Sequence, residues 1–128
     1  MIVITGASSG IGKELAKIYI EKKQTEKIFL ISRNDPNLDG AKWLKADFRK
    51  EIDLIKVTDL LKNINDKLDF MVHCSGIMKS CQSNKLGLED LKDSFMVNTI
   101  APMYITSALT RHLAKAKGTV VAISSIAS

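Results

Sequence analysis

A strand that runs straight into glycine constrains this chain more than any other feature. Ile2-Val3-Ile4-Thr5 is a short β-branched run, and Gly6-Ala7-Ser8-Ser9-Gly10-Ile11-Gly12 follows it with no spacer. Ile11, Leu15, Ile18 and Tyr19 then recur at helical spacing, which predicts a helix to about Lys22. The first N–H groups of a helix lack partners, and the helix dipole adds partial positive charge there. A strand, a glycine turn and a helix start in immediate succession therefore aim donors at an anion such as a pyrophosphate. The spacing Gly-x-x-x-Gly-x-Gly excludes two other phosphate loops. A Walker A loop would need glycine where Ala7 stands and a hydroxyl where Glu14 stands. The fingerprint Gly-x-Gly-x-x-Gly does not match either.

The rest of the chain alternates in the same way. Further strands are predicted over 27–32, 42–46, 68–72 and 119–123. A second helix is marked by Ile52, Ile55, Leu60, Leu61 and Ile64. A long helix is predicted from about Leu88, bending at Pro102 and stopping near Lys117-Gly118. The polar stretch 79–85 reads as a mobile loop. This alternation predicts an α/β fold, a doubly wound parallel sheet of Rossmann-like form. Its five strands take the order 3-2-1-4-5, within one domain over 1–128. The first, fourth and fifth strands are apolar throughout, so burial on both faces is expected. Only about ten residues separate the second and third strands, which leaves room for a loop or one helical turn.

Composition narrows the function. The chain has 128 residues, 45% hydrophobic and 26% charged, which suits one soluble globular domain. A formal charge of +5 is scattered without a basic block, and aromatics are only 5%, so nucleic acid is not the expected partner. Cys74 and Cys81 form no Cys-x-x-Cys pair and only two histidines are present, so no metal site is expected and a reducing, cytoplasmic setting is. The apolar start is too short for a signal peptide, and no run approaches the ~20 apolar residues of a membrane span.

Several landmarks, in order, resemble one family. Thr5-Gly6-x-x-x-Gly10-x-Gly12 is similar to the cofactor loop of the short-chain dehydrogenases/reductases. Asp47, with Phe48 beside it, stands where that family holds the adenine ring. His73-Cys74-Ser75-Gly76 stands where it usually has Asn-Asn-Ala-Gly. Val97-Asn98 resembles its active-site asparagine, and Ile123-Ser124-Ser125 the strand end that carries its catalytic serine. The resemblance implies cofactor contacts from Gly6, Ser8, Ser9, Gly10, Ile11, Gly12, Ser32, Arg33, Asp47, Phe48, Cys74, Ser75 and Gly76. It implies catalytic roles for Ser125, which would hold the substrate oxygen, and Asn98, which would support a proton path. His73 alone reads as a packed, satisfied histidine.

Arg33 ends the second strand where an acidic residue would bind the ribose of NAD. A guanidinium there suits a 2′-phosphate, so NADP is favoured over NAD, with Asp35 keeping NAD open. The implied activity is hydride transfer between NADP(H) and a small carbonyl or alcohol substrate. The family's tyrosine and the lysine four residues after it, whose charge lowers the tyrosine pKa, are expected about a dozen residues after Ser125, beyond Ser128. Tyr19-x-x-x-Lys23 fits that pattern as a string but lies more than ~10 Å along the first helix from its phosphate end. Tyr104 has Ala108 where the lysine belongs. Three expectations follow: a truncated oxidoreductase, a nucleotide-binding module without catalysis, or a half-site completed by a partner chain. The resemblance also implies a homo-oligomer through the long helix, and the fifth strand, as an exposed apolar edge, is a second place where pairing with another chain is expected.

Overall fold

The computed structural model describes residues 1–22, 26–79 and 82–125. The apolar runs form five strands: β1 (Ile2–Thr5), β2 (Ile28–Ser32), β3 (Lys42–Lys45), β4 (Phe70–His73) and β5 (Thr119–Ala122). All pair in parallel, in the lateral order β3-β2-β1-β4-β5. Ile4 at the sheet centre lies level with Leu30 on one side and Val72 on the other. This is the doubly wound order predicted from the strand–helix alternation. As expected, no helix joins β2 to β3.

Side chains alternate across the strands and so divide the core in two. Ile2, Ile4, Ile28, Leu30 and Val72 face helix α1 (Gly10–Lys22), which packs through Ala16, Leu15, Tyr19 and Ile20. Val3, Phe29, Ile31 and Met71 face the other way. There they meet Leu54, Val57 and Leu61 of α2 (Glu51–Lys62), and Ala101 and Ile105 of α4 (Ala101–Ala108). Trp43 on β3 lies level with Leu30, and its indole N–H donates to the Ser32 carbonyl at 3.2 Å.

Several sequence expectations are corrected. Ile11 and Ile18 are exposed, and α1 instead buries Gly12 and Ala16, because only small residues let the helix lie against β1. Ile52 and Leu60 are likewise exposed on α2. The fourth strand begins at Phe70 rather than Leu68 and includes His73. The predicted long helix is three helices, α3 (Leu88–Phe95), α4 and α5 (Thr110–Ala116), with a wide π turn at Met96–Ile100. The break precedes Pro102: Ala101 N–H reaches back to the Met96 carbonyl, five residues away, and this change of register absorbs the donor that proline lacks. The stop near Lys117-Gly118 is as predicted, although Lys117 takes the left-handed turn, with φ 50°. Within the polar stretch, Ser83–Lys85 forms a short 3-10 turn, while Ser80 and Cys81 lie outside the described residues. β5 is not buried on both faces; it is the outer strand, and all four residues are exposed.

Candidate functional site

The carboxyl ends of β1, β2, β3 and β4 open onto one cleft of ≈ 280 Å³. Such crevices form where neighbouring connections leave a central strand toward opposite faces. Here β1 leads to α1 on one face, and its neighbour β4 leads on to α4 on the other.

The β1–α1 turn forms the floor. Gly6 N–H donates to the Ile31 carbonyl at 2.9 Å, and the Thr5 hydroxyl accepts the N–H groups of Cys74 and Ser75 at 3.2 Å each. The turn is thus tied to both neighbouring strands. Gly6 has φ 68°, and a Cβ there would lie 2.6 Å from the Cys74 carbonyl carbon. A Cβ on Gly12 would run into the Gly6 carbonyl. Gly10 differs: at φ 55° its missing Cβ would meet nothing within 4 Å. Open space therefore lies at the first turn of α1, where the unpartnered N–H groups are. Gly6, Ser8, Ser9, Gly10, Ile11 and Gly12 all border the cleft.

The walls come from the other strand ends. Ser32 and Arg33 line the β2 side, Asp47 and Phe48 the β3 side, and Cys74, Ser75 and Gly76 the β4 side. Every position assigned to a cofactor by resemblance borders this single space. The Ser32 hydroxyl donates to the Asn34 carbonyl at 2.7 Å, which shapes the turn that carries Arg33. Burial pushes the Cys74 thiol up from its ordinary pKa.

The two catalytic assignments are placed differently. Asn98 sits in the π turn and clasps the backbone of Ile77: its Oδ1 accepts Ile77 N–H at 2.8 Å, and its Nδ2 donates to Ile77 O at 2.7 Å. It borders the cleft only through its neighbours Val97 and Ile77. Ser125 is exposed and does not line the cleft, although Ile123, two residues earlier, does. Ile123 N–H donates to the His73 carbonyl at 2.9 Å, so the β5 end follows β4 toward the cleft. Tyr19 packs against Phe70 with ring centroids 5.7 Å apart, so its ring belongs to the core; Lys23 lies outside the described residues. Neither tyrosine borders the cleft.

His73 is packed and satisfied, as predicted: it is 5% exposed, with Nε2 2.8 Å from the Thr106 hydroxyl. Burial lowers its pKa to about 4, so the ring is neutral. Arg49 was not anticipated. It also borders the cleft, and its guanidinium grips Asp47, with Nη2 2.6 Å from Oδ2. That hydrogen bond holds the Asp47 carboxyl below the usual carboxylate range. A charge of opposite sign two residues from Asp47 was the available signal in the sequence. Among the described residues, no group of three or more His, Cys, Asp or Glu side chains could hold a metal. None of the described helices is long and apolar enough to cross a membrane.

A doubly wound parallel sheet with a glycine-floored cleft at its switch point defines a Rossmann-like α/β protein. The profile of the short chain dehydrogenase family matches residues 1–128, and the chain belongs to that family of oxidoreductases. An uncharacterized oxidoreductase of Bacillus subtilis is 31% identical over 123 residues, covering 88% of this chain and 34% of that protein. The NADPH-dependent 1-acyldihydroxyacetone phosphate reductase of Saccharomyces cerevisiae is 32% identical over 137 residues, covering 98% of this chain and 45% of the reductase. A short-chain dehydrogenase from Sphingobium yanoikuyae, solved in complex with NADPH, shares the fold with a TM-score of 0.84 at 23% identity, over 98% of this chain and 53% of that one. The chain therefore spans well under two thirds of these proteins.

Proposed function

We propose that residues 1–128 form a single nucleotide-binding domain, the NADP(H)-binding part of an oxidoreductase acting on a small carbonyl or alcohol. The observation that carries this reading is the open space at Gly10, at the start of α1, in a cleft whose rim holds Arg33. The residues fit a dinucleotide. The backbone of Gly6, Ser8, Ser9, Gly10, Ile11 and Gly12 would hold the pyrophosphate with N–H donors. Ser32 and Arg33 would take the phosphorylated ribose, and Arg33 supplies a permanent cation there. Asp47 and Phe48 would border the adenine. Cys74, Ser75 and Gly76 would line the passage toward the nicotinamide, which supplies the hydride chemistry when bound. The NADPH dependence of the yeast relative supports the same preference.

In this reading Ser125 holds the substrate oxygen, and Asn98 fixes the loop at Ile77 and supports proton movement. The proton donor is assigned outside these 128 residues, since neither Tyr19 nor Tyr104 borders the cleft. Cys74 is a free thiol, which suits a cytoplasmic setting. The exposed apolar side chains Val120 and Val121 on β5, and Leu88, Leu91 and Phe95 on α3, suit a homo-oligomer.

Calorimetric titration of the chain with NADPH and NADH tests the cofactor assignment. NADPH should bind at least about tenfold more tightly, the scale of one charge-assisted contact. Binding of neither nucleotide would sink the proposal. Carbonyl-dependent oxidation of NADPH by the 128 residues alone would show that the proton donor lies within them, against this reading.

A further inference from the structure

The loop between β3 and α2 brings a second guanidinium to the cleft. Arg49 Nε donates to Asp47 Oδ1 at 2.9 Å and to Oδ2 at 3.1 Å, Nη2 donates to Oδ2 at 2.6 Å, and the Arg49 backbone N–H donates to Oδ1 at 3.1 Å. Asp47 itself is held from behind, its own N–H donating to Asp53 Oδ2 at 3.0 Å. The carboxylate therefore faces its own loop and fixes the arginine in a two-toothed grip. Such forks are geometrically specific in a way that a lysine contact is not.

Asp47 does not exhaust Arg49. A guanidinium carries five N–H donors, and this grip uses the one on Nε and one on Nη2, leaving about three for another acceptor. Arg33 follows Ser32, which lies level with Lys45 and whose carbonyl accepts the Ala46 N–H at 3.1 Å, so the β2 end that carries Arg33 lies beside the residues leading into Asp47. Both arginines border the cleft, and among the described residues no carboxylate is paired with Arg33. Together with Asp47, the two guanidiniums carry one net positive charge at this end of the cleft. A phosphate monoester is the acceptor that suits two planar forks.

We infer that Arg49, held by Asp47, is a specificity-determining residue that binds the 2′-phosphate of the nucleotide together with Arg33. The inference rests on the nucleotide reading of the cleft given above. It also alters the part played by Asp47, which becomes a positioning residue acting through Arg49. An arginine that merely braced the loop would affect all adenine nucleotides alike.

The test compares adenosine 2′,5′-bisphosphate with 5′-AMP as calorimetric ligands for the chain and for Arg33→Leu, Arg49→Leu and Arg49→Lys. The two ligands differ only in the 2′-phosphate. Arg49→Leu is expected to weaken the bisphosphate about tenfold while leaving 5′-AMP within about twofold. Arg49→Lys keeps the charge and loses the fork, so its loss should be intermediate. Equal losses for both ligands, or a preference lost in Arg33→Leu and intact in Arg49→Leu, would overturn the inference while leaving the nucleotide reading standing. An unmodified chain that binds neither ligand would bring down the nucleotide reading itself, and this inference with it.

Discussion

At Gly12 the distance between helix and strand leaves no room for a methyl group. The Gly6 carbonyl and the Cys74 side chain already occupy that space, and both residues are held by their backbone N–H groups, Gly6 on the Ile31 carbonyl and Cys74 on the Thr5 hydroxyl. Gly12→Ala is expected to cost about 1–3 kcal/mol of stability, as overpacking does, visible in the urea unfolding midpoint. Gly10→Ala should separate stability from binding. Its left-handed backbone costs about 1–2 kcal/mol with an L side chain, and the added methyl projects into the space where an anion would sit. Nucleotide affinity should therefore fall further than stability does. His73 predicts a pH response. An unfolded histidine takes up its proton near pH 6.5 and the buried ring only near pH 4, so between those values the unfolded chain binds more protons. Stability should fall as pH drops through that window, and His73→Gln should flatten the fall between about pH 7 and pH 5 in denaturant titrations. The glycine positions were legible in the sequence because their constraint is local, a turn between adjacent elements. Arg49 was not. Its grip on Asp47 depends on how the β3–α2 loop folds back, and a pair two residues apart has no fixed geometry outside a regular element.

Between α3 and α4, the wide turn at Met96–Ile100 sets Asn98 against the loop that leaves β4. Asn98→Ala should remove both hydrogen bonds to Ile77, cost about 1 kcal/mol, and speed amide hydrogen exchange at Ile77. Unchanged exchange there would show that the loop is held by other contacts. From sequence, Asn98 reads as part of one long helix, because a single π turn shifts the apolar period by only one residue. The clasp itself joins positions 21 apart, which no local pattern encodes. Pro102 was legible as a disturbance, but the disturbance is absorbed on its N-terminal side. β5 shows the same limit. Val120 and Val121 read as a strand from their composition, which suits burial on both faces and an exposed edge alike; what packs beside the strand decides between the two.

The order of the five strands could be read from the sequence because right-handed crossovers and the strand–helix alternation leave few alternatives. That order leaves β5 with β4 on one side only. An exposed apolar edge offers unpaired backbone groups to a second chain. The apparent mass in light scattering should therefore rise with concentration, and Val121→Lys should reduce the rise. A mass that stays constant across the accessible range would count against pairing through this edge. At the opposite margin of the sheet, the single tryptophan, Trp43, is hydrogen-bonded to Ser32, the residue before Arg33. These 128 residues thus carry their one tryptophan, selectively excited at the red edge of the absorption band, beside the rim where the ribose is assigned. Its emission is an optical gauge of occupancy at that end of the cleft and needs no added dye. The same signal would follow the detachment of β3 during unfolding, so one instrument reads both events.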